Sequence, residues 1–224
     1  FKKFFLLHFF LINTNSAFTH TKHYNFLNKL SYNIYRNNNN IGYNEYEFIR
    51  KNSQLIVRSN TFFEVKKLGL KIYSFHSISE EIYENGTLHH FSSETKQGNK
   101  NRFCNIREKN KKLFINGSSY KGKVPKKFII GNWWNHGILN HKYQIKPTSC
   151  RIIKQKVDFL GKEKIIINDK EYLSLKFSIF SSDKSLSDEG SQIIYMWFDE
   201  KSLILLKSRY KKLGAWEYRL NFYN

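Results

Sequence analysis

The sequence predicts an all-β domain, an antiparallel up-and-down meander of about 10–12 strands curled into a closed or half-open β-barrel and preceded by a signal peptide. Three observations predict it. From Ser31 onward apolar side chains recur at every second residue, turn-forming pairs punctuate the chain at short intervals, and no long amphipathic helical pattern interrupts them.

Lys2 and Lys3 give a positive start, Phe4 to Ile12 a nine-residue apolar run broken only by His8, and Ala17 a small residue for cleavage. That run is too short to span a bilayer as a helix. It reads as a signal peptide over 1–17, followed by a short lead-in over 18–30 and one barrel-like domain over 31–224. Within the domain, Leu55, Val57, Ser59, Thr61, Phe63 and Val65 share one apolar or small face, opposite Gln54, Arg58, Asn60, Glu64 and Lys66. Leu173, Leu175, Phe177 and Ile179 alternate with Ser174, Lys176 and Ser178 in the same way, as do Trp216, Tyr218, Leu220 and Phe222 with Glu217, Arg219, Asn221 and Tyr223. Asn85-Gly86 and Asn116-Gly117 suit two-residue turns whose central residues need positive φ. Both also fit a glycosylation sequon, but the turn explains them without it. Asn37 to Asn40, Leu68-Gly69, Gly98-Asn99, Leu160-Gly161, Asn168-Asp169 and Leu213-Gly214 supply the other breaks. A sheet this large rarely stays flat. The irregular stretch from about Tyr120 to Cys150 holds both prolines and Trp133-Trp134-Asn135-His136, and is expected to cross one end of the barrel or cover its mouth.

Composition bounds the function. Hydrophobic residues at 40% and aromatics at 17% provide a core and argue against disorder. The net charge of +20 has two readings: an anionic partner, or A/T-rich codon usage that enriches Lys, Asn, Ile, Phe and Tyr together. The lysines are scattered singly and in pairs, including Lys66-Lys67 and Lys211-Lys212. A leader for export argues against a nucleic-acid partner and leaves an anionic membrane surface or an envelope protein as the partners to expect. Cys104 and Cys150 are an even count in an oxidising compartment; one disulfide or two unlinked buried thiols fit equally, and spacing does not decide.

No motif for a nucleotide, cofactor or hydrolytic nucleophile occurs, and no cofactor is expected. His76, His89, His90, Glu80 and Glu81 lack the tight spacing of a metal site, so no metal ligand is assigned. His136 and His141 could serve Cys150 as bases, but nothing around Cys150 resembles an activated nucleophile. The aromatic residues remain. Trp133, Trp134, Asn135 and His136 are candidates for the rim or lid of a cavity holding a lipid or other amphiphile, and Trp197 and Trp216 for its wall. The alternative use of the same rings is to plug a barrel end. A polar site of His136, Asn135 and Asp199 acting on an envelope polymer is the enzymatic alternative, and a basic partner-binding envelope protein is another.

The run Tyr32-Asn33-Ile34-Tyr35 followed by Ile41-Gly42 resembles the opening hairpin of a family of exported bacterial proteins of unknown function. Leu68-Gly69-Leu70-Lys71-Ile72-Tyr73, Glu81 to Leu88, Trp134-Asn135, Met196 to Asp199 and Gly214 to Tyr218 follow in the same order. The resemblance implies a signal peptide, a periplasmic or otherwise exported location and an antiparallel barrel-like domain. Such barrels are in turn distantly reminiscent of the half-barrels of periplasmic lipoprotein carriers. The resemblance assigns no catalytic residue.

Overall fold

The computed structural model describes residues 23–182 and 191–224. The expected signal peptide and the first part of the lead-in lie outside the described residues. Period-two patterning yields strands throughout. The first half of the chain forms β1 (Lys29–Arg36), β2 (Asn39–Lys51), β3 (Gln54–Lys67), β4 (Leu70–Glu84), β5 (Thr87–Gln97), β6 (Lys100–Lys109), β7 (Lys112–Gly117) and β8 (Lys121–Pro125). The second half forms β9 (Ile129–Ile130), β10 (Tyr143–Ile145), β11 (Ile152–Ile167), β12 (Lys170–Ser182), β13 (Ser191–Asp199), β14 (Leu205–Lys211) and β15 (Ala215–Tyr223). A 3-10 helix, His136–Asn140, links β9 to β10, which pair in parallel; the other neighbours are antiparallel. The 15 strands exceed the expected count because the irregular stretch itself supplies the short β8, β9 and β10, which carry no readable alternation.

All strands belong to one sheet in the order β8 through β1, then β15 back through β9. The two ends of the chain therefore meet at the centre of the sheet, where β1 pairs with β15, and the middle of the chain forms both edges. No ladder joins β8 to β9, so hydrogen bonds do not close the barrel and a seam runs between these edges. Both prolines stand there, Pro125 at the end of edge strand β8 and Pro147 in the loop after β10. Proline suits an edge because it has no N–H to offer a further strand.

The seam is held in other ways. Cys104 on β6 and Cys150 form a disulfide, with Cα atoms 4.9 Å apart, tying one flank of the seam to the other. Around it pack Phe91, Ile106, Leu113, Ile115, Val124, Ile130 and Ile145, a second core separate from the main one. Ser119 N–H donates to the Ser149 carbonyl at 2.9 Å beside the bridge. Asn116-Gly117 is not the turn its sequence suggests: it ends β7, and the turn before that strand is Asn110-Lys111, with φ of 54° and 58°. What Gly117 provides is room, since a Cβ there would stand 2.4 Å from Cys150 Cβ. Leu160-Gly161 is also not a turn but a bulge within the 16-residue β11. The other turns fall where expected.

The inward face of β3 is the expected one, with Val57, Phe63 and Val65 buried in the main core. At the chain end the alternation departs from expectation. The bulge between Ser31 and Tyr32 shifts the register, leaving Phe222 exposed while Tyr223 packs on the core.

Because the disulfide spans the one gap that no ladder crosses, replacing both cysteines (Cys104→Ser with Cys150→Ser) is expected to cost about 2–5 kcal/mol in urea unfolding. Gly117→Ala is expected to cost about 1–3 kcal/mol with the bridge intact, as overpacking does.

Candidate ligand cavity

Between the two halves of the sheet lies a cavity of about 620 Å³. Cross-strand registry builds one wall in tiers, because residues paired across an antiparallel sheet point the same way. Nearest the turns that follow β1, β3 and β5 is a tier of Phe63, Phe75 and Gln97; below it come Asn44, Thr61, Ser77 and Thr95. Next in register are Tyr46, Ser59, Ser79 and Ser93, then Phe48, Val57, Glu81 and Phe91; of these, Tyr46, Ser59, Ser79 and Glu81 line the cavity. The opposite wall is aromatic. Trp216 stacks on Tyr210 at 6.0 Å, Trp133 packs on Tyr218 at 5.3 Å, and Phe63 meets Trp216 edge-on at 5.2 Å. Arg36, Lys146 and Lys212 also line the cavity and give it a cationic mouth.

The hydroxyl tiers are less polar than their composition suggests, because their members bond to one another. Ser59 and Ser79 hydroxyls lie 2.7 Å apart, Ser77 and Thr95 hydroxyls 2.7 Å, and Asn44 Nδ2 donates to Thr61 Oγ1 at 2.6 Å. Asn44 is 5% exposed and its Oδ1 has no protein partner. That oxygen is itself shielded from the cavity.

Glu81 sits at the floor, 1% exposed. Tyr83 Oη donates to its Oε2 at 2.6 Å, while Asn132 Nδ2 and Trp134 Nε1 donate to its Oε1 at 2.8 and 3.0 Å. Burial pushes the carboxyl up from 4.5 to about 7, against the pull of these three donors. The sequence marks Glu81 only as one of five loosely spaced candidates for a metal site, with no cavity role. Its signal was an acid on the inward parity of β4, in line with Phe75, Ser77, Ser79 and Tyr83.

The six candidate site residues separate. Trp133 and Trp216 line the cavity; Trp134, Asn135, His136 and Trp197 do not. Trp134 is a core strut, 1% exposed, with Tyr24, Phe48 and Tyr83 around it at 5.4, 5.5 and 5.7 Å. Asn135 caps the 3-10 helix, its Oδ1 accepting from Gly137 N–H at 2.9 Å. His136 is locked to Tyr24, whose hydroxyl lies 2.6 Å from Nδ1 and accepts from the His136 backbone N–H at 2.8 Å. Trp197 projects from the other face of β13, between Lys176 and Lys207 at 5.0 and 4.4 Å, and donates from Nε1 to Glu163. Asp199 is used in a turn, accepting from Ser202 N–H and Oγ at 2.8 and 2.6 Å. His76 bonds Asn60 and Glu80 bonds Arg58 on the outer face, while Glu81 points inward. Among the described residues no group of three His, Cys, Asp or Glu side chains comes together as a metal site would require.

The fold and the cavity define a class, an open barrel-like sheet wrapped around an aromatic-walled chamber. Residues 32–221 match the model of the family described as Domain of unknown function (DUF6134), and the chain belongs to that family. Among solved structures, the chain is similar to a beta-barrel-like protein of Domain of Unknown Function DUF1849 from Brucella abortus. The TM-score is 0.58 at 9% identity, over 88% of this chain and 96% of that one, a likeness of fold alone. No curated protein matches the sequence.

Glu81 makes stability depend on pH with a definite sign. Its folded pKa lies above the unfolded value, so the contribution is whole below about pH 4.5 and lost as pH rises through about 7. Between those limits the wild type is expected to lose about 3 kcal/mol from this group. Glu81→Gln, which keeps an acceptor for Asn132 and Trp134 and can donate to Tyr83, is expected to flatten the pH profile of urea unfolding over that window.

Proposed function

We propose that this is an exported, periplasmic protein that binds an amphiphile without chemically altering it, holding an apolar tail in the chamber and an anionic head at its mouth. The observation that carries the reading is the pairing of an aromatic wall with a self-satisfied hydroxyl wall beneath a cationic rim. The chamber's volume falls within the range of ligand sites, roughly 300–1,000 Å³. An acyl chain can lie against hydroxyls that bond each other, because no donor or acceptor among them is stripped of a partner by its arrival. Arg36 and Lys212 complement a carboxylate or phosphate head. Export is supported by the leader-like first 17 residues and by the disulfide.

Titration with fatty acids and lysophospholipids of increasing chain length, followed by native mass spectrometry and tryptophan emission, tests this. Saturable binding that strengthens with chain length is expected. Trp133→Ala and Trp216→Ala should each weaken it by about tenfold, equivalent to about 1.4 kcal/mol, with the fold retained. Trp134→Ala should instead cost about 3–5 kcal/mol of stability. An absence of binding at any chain length would overturn the reading.

A further inference from the structure

Four residues recur in the chain: Lys66-Lys67-Leu68-Gly69 and Lys211-Lys212-Leu213-Gly214. The first forms the turn between β3 and β4, the second the turn between β14 and β15. Strand directions place both at the end of the sheet where the cavity opens. β1 and β3 run toward that end, β14 runs alongside them, and the β14–β15 turn is fastened to the β1–β2 turn by Ala215 N–H donating to Asn37 Oδ1 at 2.8 Å. Ile72, Lys212 and Leu213 belong both to this end and to the cavity lining.

The leucine side chains at these tips are largely exposed. Leu68 is 94% exposed and Leu213 78%, with Leu70 and Ile72 beside them at 72% and 59%. Both tip leucines also hold positive φ, 50° and 48°, a backbone region that leucine disfavours and asparagine tolerates. Most other described residues at positive φ are asparagine or aspartate, as at Asn37-Asn38, Asn85 and Asn168-Asp169, with Lys111 and Cys150 as further exceptions. Leu203, another leucine at positive φ, is half-buried and its carbonyl accepts from Tyr24. An Asn-Gly pair would make either turn more easily, so turn geometry does not account for Leu68 and Leu213. Exposed lysines flank both: Lys66, Lys67 and Lys71 at one, Lys211 and Lys212 at the other.

Two apolar tips, each collared by cations at one end of a molecule, match the chemistry of an anionic bilayer surface. Leucine enters the headgroup boundary, while lysine lays its methylenes beside the acyl region and keeps its ammonium among the phosphates. A soluble protein partner would call for a continuous groove or face, and these are separate points. We propose that the two Lys-Lys-Leu-Gly turns dock the open end of the protein on an anionic phospholipid bilayer, inserting Leu68 and Leu213. Docked in this way, the cavity mouth faces the membrane, and an amphiphile passes between the two without crossing water.

The full chain labelled with an environment-sensitive dye at Leu68→Cys or Leu213→Cys, and at Asn85→Cys on the opposite end as control, is mixed with vesicles of phosphatidylcholine with or without phosphatidylglycerol. The native cysteines are bonded and do not react. Blue-shifted emission is expected at both tips with the anionic vesicles, absent at position 85 and reduced by salt. The double variant Leu68→Asn with Leu213→Asn, which creates two well-formed Asn-Gly turns and retains every lysine, is expected to lower vesicle affinity by about tenfold. Equal shifts at all three positions, no shift at the tips, or wild-type affinity of the double variant would each overturn the proposal. Ligand uptake by Leu68→Asn in vesicle-free solution is read separately, so failure of docking is distinguishable from failure of the cavity reading.

Discussion

A sheet that wraps around a chamber must hold its free edges together, and here no hydrogen-bond ladder does so. β9 is two residues long and β8 ends in a proline, so neither edge can extend a ladder to the other. The burden passes to the Cys104–Cys150 bridge, the apolar cluster around it and the three residues that carry the chain from β8 to β9. Everything described inside the molecule depends on that closure. The hydroxyl tiers and the aromatic wall face one another because the seam keeps the two meanders curled, and Gly117 lets the bridge come close enough to serve. The same arrangement handles the hazard of open edges, which elsewhere invite pairing with other chains.

Beneath the chamber, the segment between the two edges turns inward and becomes a strut. Trp134 meets side chains from β2 and β4 and from the lead-in, and its indole N–H ends on Glu81. Tyr24 and His136 then fasten the lead-in to the 3-10 helix. A buried carboxyl with three donors is costly when ionised, yet it orients Tyr83, Asn132 and Trp134 at once. That common orientation sets where Trp133, between Asn132 and Trp134, presents its ring to the cavity. The chamber floor is thus organised by a polar cluster, while its walls are apolar or internally satisfied.

The fold was largely legible because a period of two survives in nearly every long strand and asparagine or glycine marks the turns. Legibility failed where one residue served two constraints. Asn116-Gly117 has the composition of a turn, but its glycine is there for the disulfide; Leu160-Gly161 looks like a break, but it bends a continuous strand. The site was legible only in part. Trp133 and Trp134 are adjacent and chemically alike, and only the path of the chain across the interior sends one to the chamber and the other to the core. Trp197 shares the inward-looking composition of its neighbours but falls on the outer parity of β13. Glu81 could have been found by asking why an acid interrupts the inward face of β4. The asparagine–threonine pairing of Asn44 with Thr61 depends on cross-strand register, which no local pattern reveals.

The position of β1 beside β15 has a consequence for how the molecule comes into being. Each meander is built from hairpins between sequence neighbours, contacts of low order that form as soon as their residues are available. The ladder that unites them pairs Leu30 with Tyr223 and Arg36 with Trp216, so it must wait for the strand at the far end of the domain. Until the last strand arrives there are two half-sheets, each with a bare edge at the place that will become the centre. The strands at the centre of the finished sheet are those it leaves open longest while it is being made.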